Sequence, residues 1–387
     1  MPIINLQIMK LQQILIGGQS DNEIIFSTPD FSAAKANLVL AFGEREFLES
    51  SLPYKKLKEL YSEAQIVICS TSGQISNLNL VENKIVCSAI EFEKSTIKIA
   101  EIDILKNTSI EDLGLVVKNE LLNEDLKSIV VISEGSFVNG TELVNELGKQ
   151  TNYSLPIFGG LAGDKAQFLK TIVGLNQDAK EGKVVLIGFY GDSINFSSGC
   201  EGGWSDYGPE REVTLSEKNV LFKIGDRYAL DIYKEYLGKY ADELPSSALY
   251  FPLSMKENVN SEPVVRTILA IDEKTKSMTF AGNIPQGSLV RLMKGNFDKL
   301  IDASYNAASE AFTSHPIEPQ LALIVSCVGR KIVLGNRIDE EFEAVKEVYG
   351  NTLLCGFYSY GEISPIKDHK FCDLHNQTIA ILAISEE

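Results

Sequence analysis

The sequence predicts an α/β protein with two related domains, in which mixed β-sheets are flanked by helices. Three apolar runs typical of strands are each followed by a helical pattern, a second strand and a third strand. The length of 387 residues exceeds what one hydrophobic core ordinarily holds. Apolar residues make up 44% of the chain, which supplies enough material for two cores.

The three units have the same order of elements. Their first strands are NLVLAFGE (37–44), SIVVISEGS (128–136) and LALIVSCVGR (321–330). Their helical segments, with apolar residues three and four positions apart, lie at 54–61, 141–147 and 339–349. Their second strands run into glycine-bearing segments, IVICSTSGQIS (66–76), LPIFGGLAGD (155–164) and LLCGFYSYGEIS (353–364). The pattern predicts an internal duplication, and accidental likeness among such units is the alternative.

The segment between the second and third units has a different pattern. Residues 221–240 predict a strand, a turn and a helix, and later turn signals separate short strands that we expect to pair antiparallel. A long helix is expected at 296–312. A polar, glycine-rich stretch predicts a boundary between domains of residues 1–217 and 218–387. We therefore expect limited proteolysis to cut at 205–220 and to release two stable halves.

Composition and charge argue against several classes of partner. The net charge is −17 and lysine and arginine form no dense run, so nucleic acid is not an expected partner. The six cysteines form no CxxC pair, which argues against structural zinc and fits a reducing compartment. No apolar run reaches about 18 residues and the first residues lack a signal-peptide pattern. We therefore expect a cytoplasmic protein without membrane insertion.

The FGGLAGD segment is the first candidate site. Gly159 and Gly160 follow a strand, and Asp164 closes the segment. Glycines at this place either let the backbone approach a ligand or only permit a turn. The segment is neither GxGxxG nor a phosphate-binding loop that ends in GK[ST].

The CVGR segment is the second candidate site. Arg330 follows a strand end, where α/β sheets bind ligands, and can hold a carboxylate through two parallel hydrogen bonds. A buried ion pair with Glu362 or another acid is the alternative. Cys327 can act as a nucleophile only with a base within reach, and His375 is the candidate base.

Residues 353–384 form the third candidate site, as one wall of a ligand pocket. Gly361 permits close approach of the chain, and Glu362 and His375 can meet across the loop as polar contacts. Asn376 can contact a ligand or satisfy backbone groups of the loop. His375 is a structural histidine, a pocket donor, or a haem or metal ligand, and these three interpretations stay open.

Three further side chains are singled out by type. Trp204 is the only tryptophan and is either a wedge between the two halves or a wall of the pocket. His315 precedes a proline, so we expect a capping or surface role. His369 lies among charged residues, so we expect it to be exposed.

Several segments together resemble the FIST family. They are FGGLAGD (158–164), GCEGGW (199–204), CVGR (327–330), FYSYGEISP (357–365) and LHNQT (374–378). They occur in the family's order, and the resemblance extends from about residue 24 onward as an N-terminal FIST domain followed by a C-terminal one. It implies a sensory module that binds small ligands, with amino acids as a proposed class. FIST domains occur beside histidine kinases, diguanylate cyclases and chemoreceptors, and some are haem-binding nitric oxide sensors that regulate a partner kinase.

The leading hypothesis is a cytoplasmic, non-enzymatic module that binds an amino acid or a similar small carboxylated molecule and relays its state to a partner signalling protein. The expected ligand-binding residues are Gly159, Gly160, Asp164, Trp204, Cys327, Arg330, Gly361, Glu362, His375 and Asn376. No cofactor is predicted under this hypothesis. One alternative is a haem-dependent nitric oxide sensor with His375 as axial ligand. Another is an enzyme in which Arg330 orients a carboxylated substrate and Cys327 or Glu362 reacts.

Overall fold

All three predicted units form, each with a first strand, one or two helices, a parallel second strand and an antiparallel third strand. The computed structural model describes residues 8–17, 22–77, 79–105, 109–366 and 372–387. A hairpin and the first unit comprise β1 (Lys10–Ile16), β2 (Asn22–Ser27), β3 (Leu38–Gly43), α1 (Arg45–Ser51), α2 (Tyr54–Leu60), β4 (Gln65–Ser70), β5 (Gln74–Ile75), β6 (Leu80–Val81) and β7 (Ile85–Glu91).

The second unit is followed by a linking strand and by an insertion. The second unit comprises β8 (Thr96–Asp103), α3 (Ile110–Val116), β9 (Leu126–Ser133), α4 (Gly140–Gln150), β10 (Ile157–Leu161), β11 (Val173–Leu175) and β12 (Lys183–Tyr190). The linking strand is β13 (Ile194–Glu201). The insertion comprises β14 (Ser205–Glu217), β15 (Val220–Ile224), β16 (Arg227–Tyr228), α5 (Ala229–Leu237), β17 (Leu253–Lys256), β18 (Val264–Arg266), β19 (Ile268–Asp272), β20 (Ser277–Phe280) and β21 (Leu289–Lys294).

The third unit completes the chain and begins with the predicted long helix. It comprises α6 (Phe297–Thr313), β22 (Leu321–Cys327), α7 (Val328–Leu334), α8 (Ile338–Tyr349), β23 (Leu353–Ser359), β24 (Gly361–Pro365), β25 (Cys372–His375) and β26 (Ile379–Glu386). The side chain of Asn296 caps α6 by accepting a hydrogen bond from Lys299 N. Gly350, at a φ of 55°, ends α8 in the left-handed conformation that glycine adopts without strain.

Each unit builds the centre of a six-stranded mixed sheet, as the predicted fold class requires. The strand orders are β11-β4-β3-β7-β1-β2 in the first sheet, β25-β24-β10-β9-β12-β8 in the second and β13-β26-β22-β23-β5-β6 in the third. In every sheet the unit's first strand lies between its second and third strands. The prediction of an α/β protein with mixed sheets is confirmed.

Each unit also donates a strand to the sheet of another unit. β5 pairs with β23, β24 pairs with β10, and β11 pairs with β4. The first unit thus adds to the third sheet, the third unit to the second sheet, and the second unit to the first sheet. This cyclic exchange supports the predicted internal duplication.

A closed ring of three backbone hydrogen bonds joins the ends of the second strands. The N–H groups of Ser72, Tyr360 and Gly163 donate to the carbonyl oxygens of Tyr358, Leu161 and Ser70, respectively, at 2.9, 3.0 and 3.0 Å. Each bond links a different pair of units, so the ring fixes all three strand ends relative to one another.

The inner faces of the three sheets share one apolar core, and helices cover outer faces of the sheets. Alternation along each strand produces this division, since successive side chains point to opposite faces. Leu40 and Phe42 of β3 enter the shared core, whereas Val39 and Ala41 pack in the outer cluster with residues of α1 and α2. Because both faces are buried, these strands are nearly continuous apolar runs.

The insertion forms a separate antiparallel sheet, as its turn signals predicted. Its strand order is β18-β17-β21-β14-β15-β20-β19, with β16 paired to β15. Apolar residues of α5 and of these strands form a core of their own. We call this element the insertion sheet.

The two halves of the chain share sheets. β13 pairs with β26, and the exchanged strands β5 and β24 cross between the halves in opposite directions. Separation at 205–220 would break these pairings and open the shared core. The expectation of two halves that are stable apart therefore does not fit the fold.

Candidate functional site

The insertion sheet meets the second sheet and the first turn of α4, and this contact forms a joint between the halves. Asn139 caps α4 by accepting hydrogen bonds from Thr141 N and Glu142 N at 3.0 and 3.2 Å. Asn139 Nδ2 donates to Asn283 Oδ1 at 2.9 Å, and Asn283 N donates to Thr141 Oγ1 at 3.3 Å. Residues 280–285 of the insertion are thereby fixed against the start of the helix.

Two clefts open at this joint, each with a volume of about 260 Å³. The first, which we call the aromatic cleft, is lined by Phe280, Ala281 and Gly282 among others. The second, which we call the Arg266 cleft, is lined by Asn283 and Pro285 among others. The segment 280–285 therefore separates the two clefts.

Arg266 lines the cleft named after it, although only 1% of its surface is exposed. Its Nη1 donates to the Leu374 carbonyl oxygen at 2.7 Å, and its Nε donates to the Asn283 carbonyl oxygen at 3.3 Å. Its Nη2 faces Asp373 Oδ1 at 3.7 Å, which is longer than a normal hydrogen bond. Burial lowers the pKa of Arg266 and Asp373 opposes that effect, so the guanidinium stays charged at neutral pH.

Acidic and apolar side chains complete the Arg266 cleft. The Asp373 carboxylate is partly exposed, and Glu257 and Glu262 are exposed to solvent. Met255 and Val264 contribute buried apolar walls. A cation, several acids and an apolar wall in one concave site suit a ligand that carries a carboxylate, an ammonium group and an apolar body.

Glu362 forms a second polar centre, which is fully buried. Its Oε1 accepts a hydrogen bond from Ser359 Oγ at 2.6 Å, and its Oε2 accepts from Thr378 N at 3.2 Å and Thr378 Oγ1 at 2.9 Å. Burial raises the pKa of Glu362 to about 8, because the charged form loses its hydration, and the hydrogen bonds only partly offset this. The carboxyl group is therefore mostly uncharged at neutral pH.

Two family models match the chain, the FIST N domain over residues 37–227 and the FIST C domain over residues 229–365. The chain belongs to the FIST family. FIST domains are sensory domains of signal transduction. No curated protein matches the chain. A crystal structure of cyanuric acid hydrolase from A. caulinodans aligns over 99% of this chain and 100% of that chain, at 11% identity and a TM-score of 0.35, which is too low to indicate a shared function.

Arg330 of this FIST protein is enclosed in the third unit and has no exposed surface. Its Nε donates to Glu341 Oε1 at 2.7 Å, and further nitrogens donate to the carbonyl oxygens of Gly202 at 2.6 Å and Leu300 at 2.7 Å. The geometry is that of the alternative interpretation, a buried ion pair, with Glu341 as the acid in place of Glu362. An open carboxylate clamp at Arg330 does not fit this arrangement.

Cys327 of the FIST C half is buried at the start of α7. Burial raises the pKa of its thiol, and a protonated thiol is a weak nucleophile. The candidate base His375 is directed elsewhere, with Nε2 3.3 Å from the Ser364 carbonyl oxygen. The geometry gives no support to a Cys327–His375 catalytic pair.

Strand pairing places Glu362 and His375 opposite each other on β24 and β25. Asn376 then links this hairpin to the insertion, because its Oδ1 accepts from Thr267 N at 3.4 Å while its Nδ2 donates to the His375 carbonyl oxygen at 3.0 Å. Burial lowers the pKa of His375, which favours a neutral ring at neutral pH. Neither His375 nor Asn376 lines either cleft.

The assignment of His375 as an axial haem ligand stays a prediction. The Nε2 atom of His375 faces the Ser364 carbonyl oxygen, and the ring lines neither cleft of the joint. Within the described ranges, no three His, Cys, Asp or Glu side chains converge as metal ligands. Across the same ranges, no helix is long and apolar enough to cross a membrane.

The FIST-like glycines lie within strands and permit close packing, within the second unit at Gly159 and between units at Gly160 and Gly361. The sequence predicts that Gly159 and Gly160 follow a strand, but both lie within β10. A Cβ on Gly159 would collide with the Val131 carbonyl oxygen, and one on Gly160 would lie 2.5 Å from Val325 Cγ1. Gly361 begins β24 beside Leu161. These positions favour the packing interpretation over ligand lining.

Asp164 holds the loop that follows β10. Its carboxylate accepts hydrogen bonds from the N–H groups of Phe168, Leu169 and Lys170, each at 2.9 Å, and from the Tyr360 hydroxyl group. Asp164 therefore shapes the wall of the aromatic cleft, to which Phe168 and Tyr360 belong, without lining the cleft itself.

Trp204 packs against the helices of the third unit. Its Nε1 donates to the Gln377 carbonyl oxygen at 2.7 Å, and its ring contacts an apolar cluster of Leu300, Val333 and Leu334. This placement corresponds to the wedge interpretation.

The sequence predicts a capping or surface role for His315 and an exposed position for His369, and the structure describes His315. His315 is buried, with Nδ1 2.7 Å from Ser197 Oγ and Nε2 2.8 Å from Ser385 Oγ, so the expected capping or surface role is wrong. Burial lowers the pKa of His315 to about 4. His369 lies outside the described residues.

Sequence reasoning missed the charged centre of the joint. Arg266 and Asp373 are more than a hundred residues apart in the chain, and neither was named as a site residue, although Asp373 lies within the candidate segment 353–384. One signal was present, since Arg266 interrupts the apolar run VVRTIL (264–269). A charged residue on the buried face of a strand requires a partner, and this rule indicates a site.

Proposed function

We propose that this FIST protein is a sensory module whose ligand, an amino acid or a similar small zwitterion, binds in the Arg266 cleft. The proposal rests on the buried guanidinium of Arg266, which lines a cleft whose walls come from both halves of the chain. Its Nη2 lies 3.7 Å from Asp373 Oδ1. The N-terminal half supplies Thr141 and Asn145 from α4, and the C-terminal half supplies the charged residues.

Each charged residue of the cleft has a partner on such a ligand. Arg266 holds the carboxylate through charge-assisted hydrogen bonds, and Asp373 accepts from the ammonium group. Glu257 and Glu262 add negative potential near the ammonium group. Apolar walls such as Met255 contact the rest of the ligand.

Because the cleft lies at the joint, ligand binding can change the conformation that a signalling partner recognises. A ligand that contacts both walls binds the closed joint more tightly than an open one, and only such a difference in affinity can shift a conformational equilibrium. The hydrogen bond between Asn283 and Thr141 links the walls directly. We infer that a cytoplasmic histidine kinase, diguanylate cyclase or chemoreceptor reads the closed form.

Titration calorimetry with free amino acids tests the ligand class. Each amino acid is compared with the amine and the carboxylic acid that lack one of its charged groups. We expect at least one amino acid to bind, and we expect loss of either charge to weaken binding roughly 10- to 150-fold, because a charge-assisted hydrogen bond contributes about 1.5–3 kcal/mol. Equal binding of the amine and the amino acid would contradict the role of the guanidinium.

The variant Asp373→Asn tests the location of the site. We expect it to weaken amino-acid binding by the same range, because it removes the negative charge beside the ammonium group. Asp206→Asn is the matched control, since Asp206 is also an aspartate paired with an arginine, Arg291 at 3.0 Å, and lies outside the cleft. Equal affinities of the wild type and Asp373→Asn would place the ligand elsewhere.

A further inference from the structure

The aromatic cleft gathers side chains that are unusual at a protein surface. Phe137, Phe168 and Leu269 line it and expose 58%, 46% and 42% of their surface. They come from three separate segments, the loop after β9, the loop after β10 and strand β19. Large exposed apolar side chains that converge on one concavity indicate a binding site more strongly than the same residues scattered singly.

Three polar side chains of this cleft already donate hydrogen bonds within the protein. Asn139 and Asn219 donate to Asn283 Oδ1 and to the Phe280 carbonyl oxygen, respectively, and the Tyr360 hydroxyl group donates to Asp164. None of the described residues that line the cleft is charged. A charged occupant would lose its hydration without gaining an ionic partner, so the cleft selects an uncharged one.

One wall of the cleft is an aromatic pair held in place. The Phe168 and Tyr360 rings stack with centroids 4.6 Å apart and an interplanar angle of 20°. Phe168 has a φ of 54°, an unfavourable conformation for this residue type, and the Asp164 carboxylate fixes it through the Phe168 N–H group. A side chain held in such a conformation by its surroundings is typical of a binding site.

We propose that the aromatic cleft is a second ligand site, which takes a small, uncharged aromatic molecule. The volume of about 260 Å³ lies just below the range of about 300–1,000 Å³ usual for small-molecule sites, so the occupant is of the size of one ring or two fused rings. Residues 280–285 separate it from the Arg266 cleft, so the proposal does not depend on the ligand proposed there.

Ligand-observed NMR with indole as the probe tests the proposal, and a titration gives the affinity. We expect wild-type protein to bind indole with a dissociation constant on the order of 1 mM or below. Benzamide and benzoate form a matched pair that differs in charge, and we expect benzamide to bind at least roughly tenfold more tightly than benzoate. Absence of indole binding up to its solubility limit would overturn the proposal.

The variant Leu269→Glu places a charge at the cleft without touching the buried core. We expect it to weaken indole binding at least roughly tenfold. Leu215→Glu is the matched control, because Leu215 is also an exposed leucine of the insertion sheet, at 45% exposure, and does not line the cleft. Melting temperatures confirm that both variants fold. Equal loss of indole binding in both variants, or no loss in Leu269→Glu, would contradict this location.

Discussion

Glu362 of the third unit and Gln74 of the first unit occupy equivalent positions in their units. Each lies three residues after a hydroxyl side chain and on a strand exchanged into another sheet. Ser359 Oγ donates to Glu362 at 2.6 Å, and Thr71 Oγ1 donates to the Gln74 amide oxygen at 3.2 Å in the amide orientation that satisfies its neighbours. The first unit thus places a neutral amide at this position, and the third unit places a carboxyl group with a raised pKa there. Both groups accept a hydrogen bond from the hydroxyl side chain three residues earlier.

The raised pKa of Glu362 predicts that stability falls as the pH rises. The pKa is about 8 in the folded protein and near its usual value of 4.5 in the unfolded chain, so only the folded state holds the proton between these values. Glu362 should therefore lower the free energy of unfolding as the pH rises, by at most about 1.4 kcal/mol per pH unit in this window, with no further change above it. The lowered pKa values of His315 and His375 act in the opposite direction below about pH 6.5, so the net decrease is expected above that pH. Urea unfolding between about pH 6.5 and about pH 9 measures the slope.

The variant Glu362→Gln isolates this contribution. It makes the third unit resemble the first at this position, so we expect it to fold, to show a flatter pH profile and to exceed the wild type in stability near pH 9. Glu59→Gln, at an exposed glutamate on α2, is the control and should follow the wild-type profile. Parallel profiles for the wild type and Glu362→Gln would show that Glu362 is not the titrating group.

The exchanged strands depend on side chains that are small enough to let neighbouring sheets approach each other. Gly160 of β10 lies against Val325 of β22, which belongs to the third unit. We expect Gly160→Ala to destabilise the protein by roughly 1–3 kcal/mol, because the added methyl group lies 2.5 Å from Val325 Cγ1 and forces a shift. Urea unfolding measures the loss.

A double-mutant cycle distinguishes this clash from a general effect of replacing the glycine. Val325→Ala leaves a cavity when made alone, but makes room for the new methyl group when combined with Gly160→Ala. The double variant should therefore be more stable than the sum of the two single losses predicts. Strict additivity would mean that the two side chains do not interact.

The sequence predicted the elements better than their partners, for a physical reason. The continuous apolar runs that give β3, β9 and β22 their two buried faces are local, so three units and their helices were visible in the residue pattern. The pairing of Ile75 with Gly356 joins residues almost three hundred positions apart, and nothing local specifies it. For the same reason the sequence did not reveal the charged pair of Arg266 and Asp373. At Arg330 the sequence left a carboxylate clamp and a buried ion pair open, but it did not identify Glu341 as the acid.

The shared sheets and the joint connect the parts of the molecule in different ways. The central core and the hydrogen-bonded ring tie the three units together through many buried contacts. The insertion sheet has its own core, and both clefts lie where it meets the second sheet. A sensory protein needs a contact that a ligand can strengthen or weaken, and the joint meets that need better than the continuous core does.

The sharing of sheets between halves predicts what a single cut in the chain does. A protease site inserted at the turn of Lys218 and Asn219 lies between β14 and β15, close to the boundary expected from composition. After cleavage we expect the two fragments to elute together in gel filtration, because β13–β26, β5–β23 and β10–β24 still pair across the cut. The fragments should separate only in denaturant, and each expressed alone should be insoluble or aggregated, because its half of the central core is open to water.

The same insertion left uncut controls for disruption of the turn. Two folded fragments that elute separately without denaturant would show that the halves are independent domains, and the packing of the three sheets around one core would then be wrong.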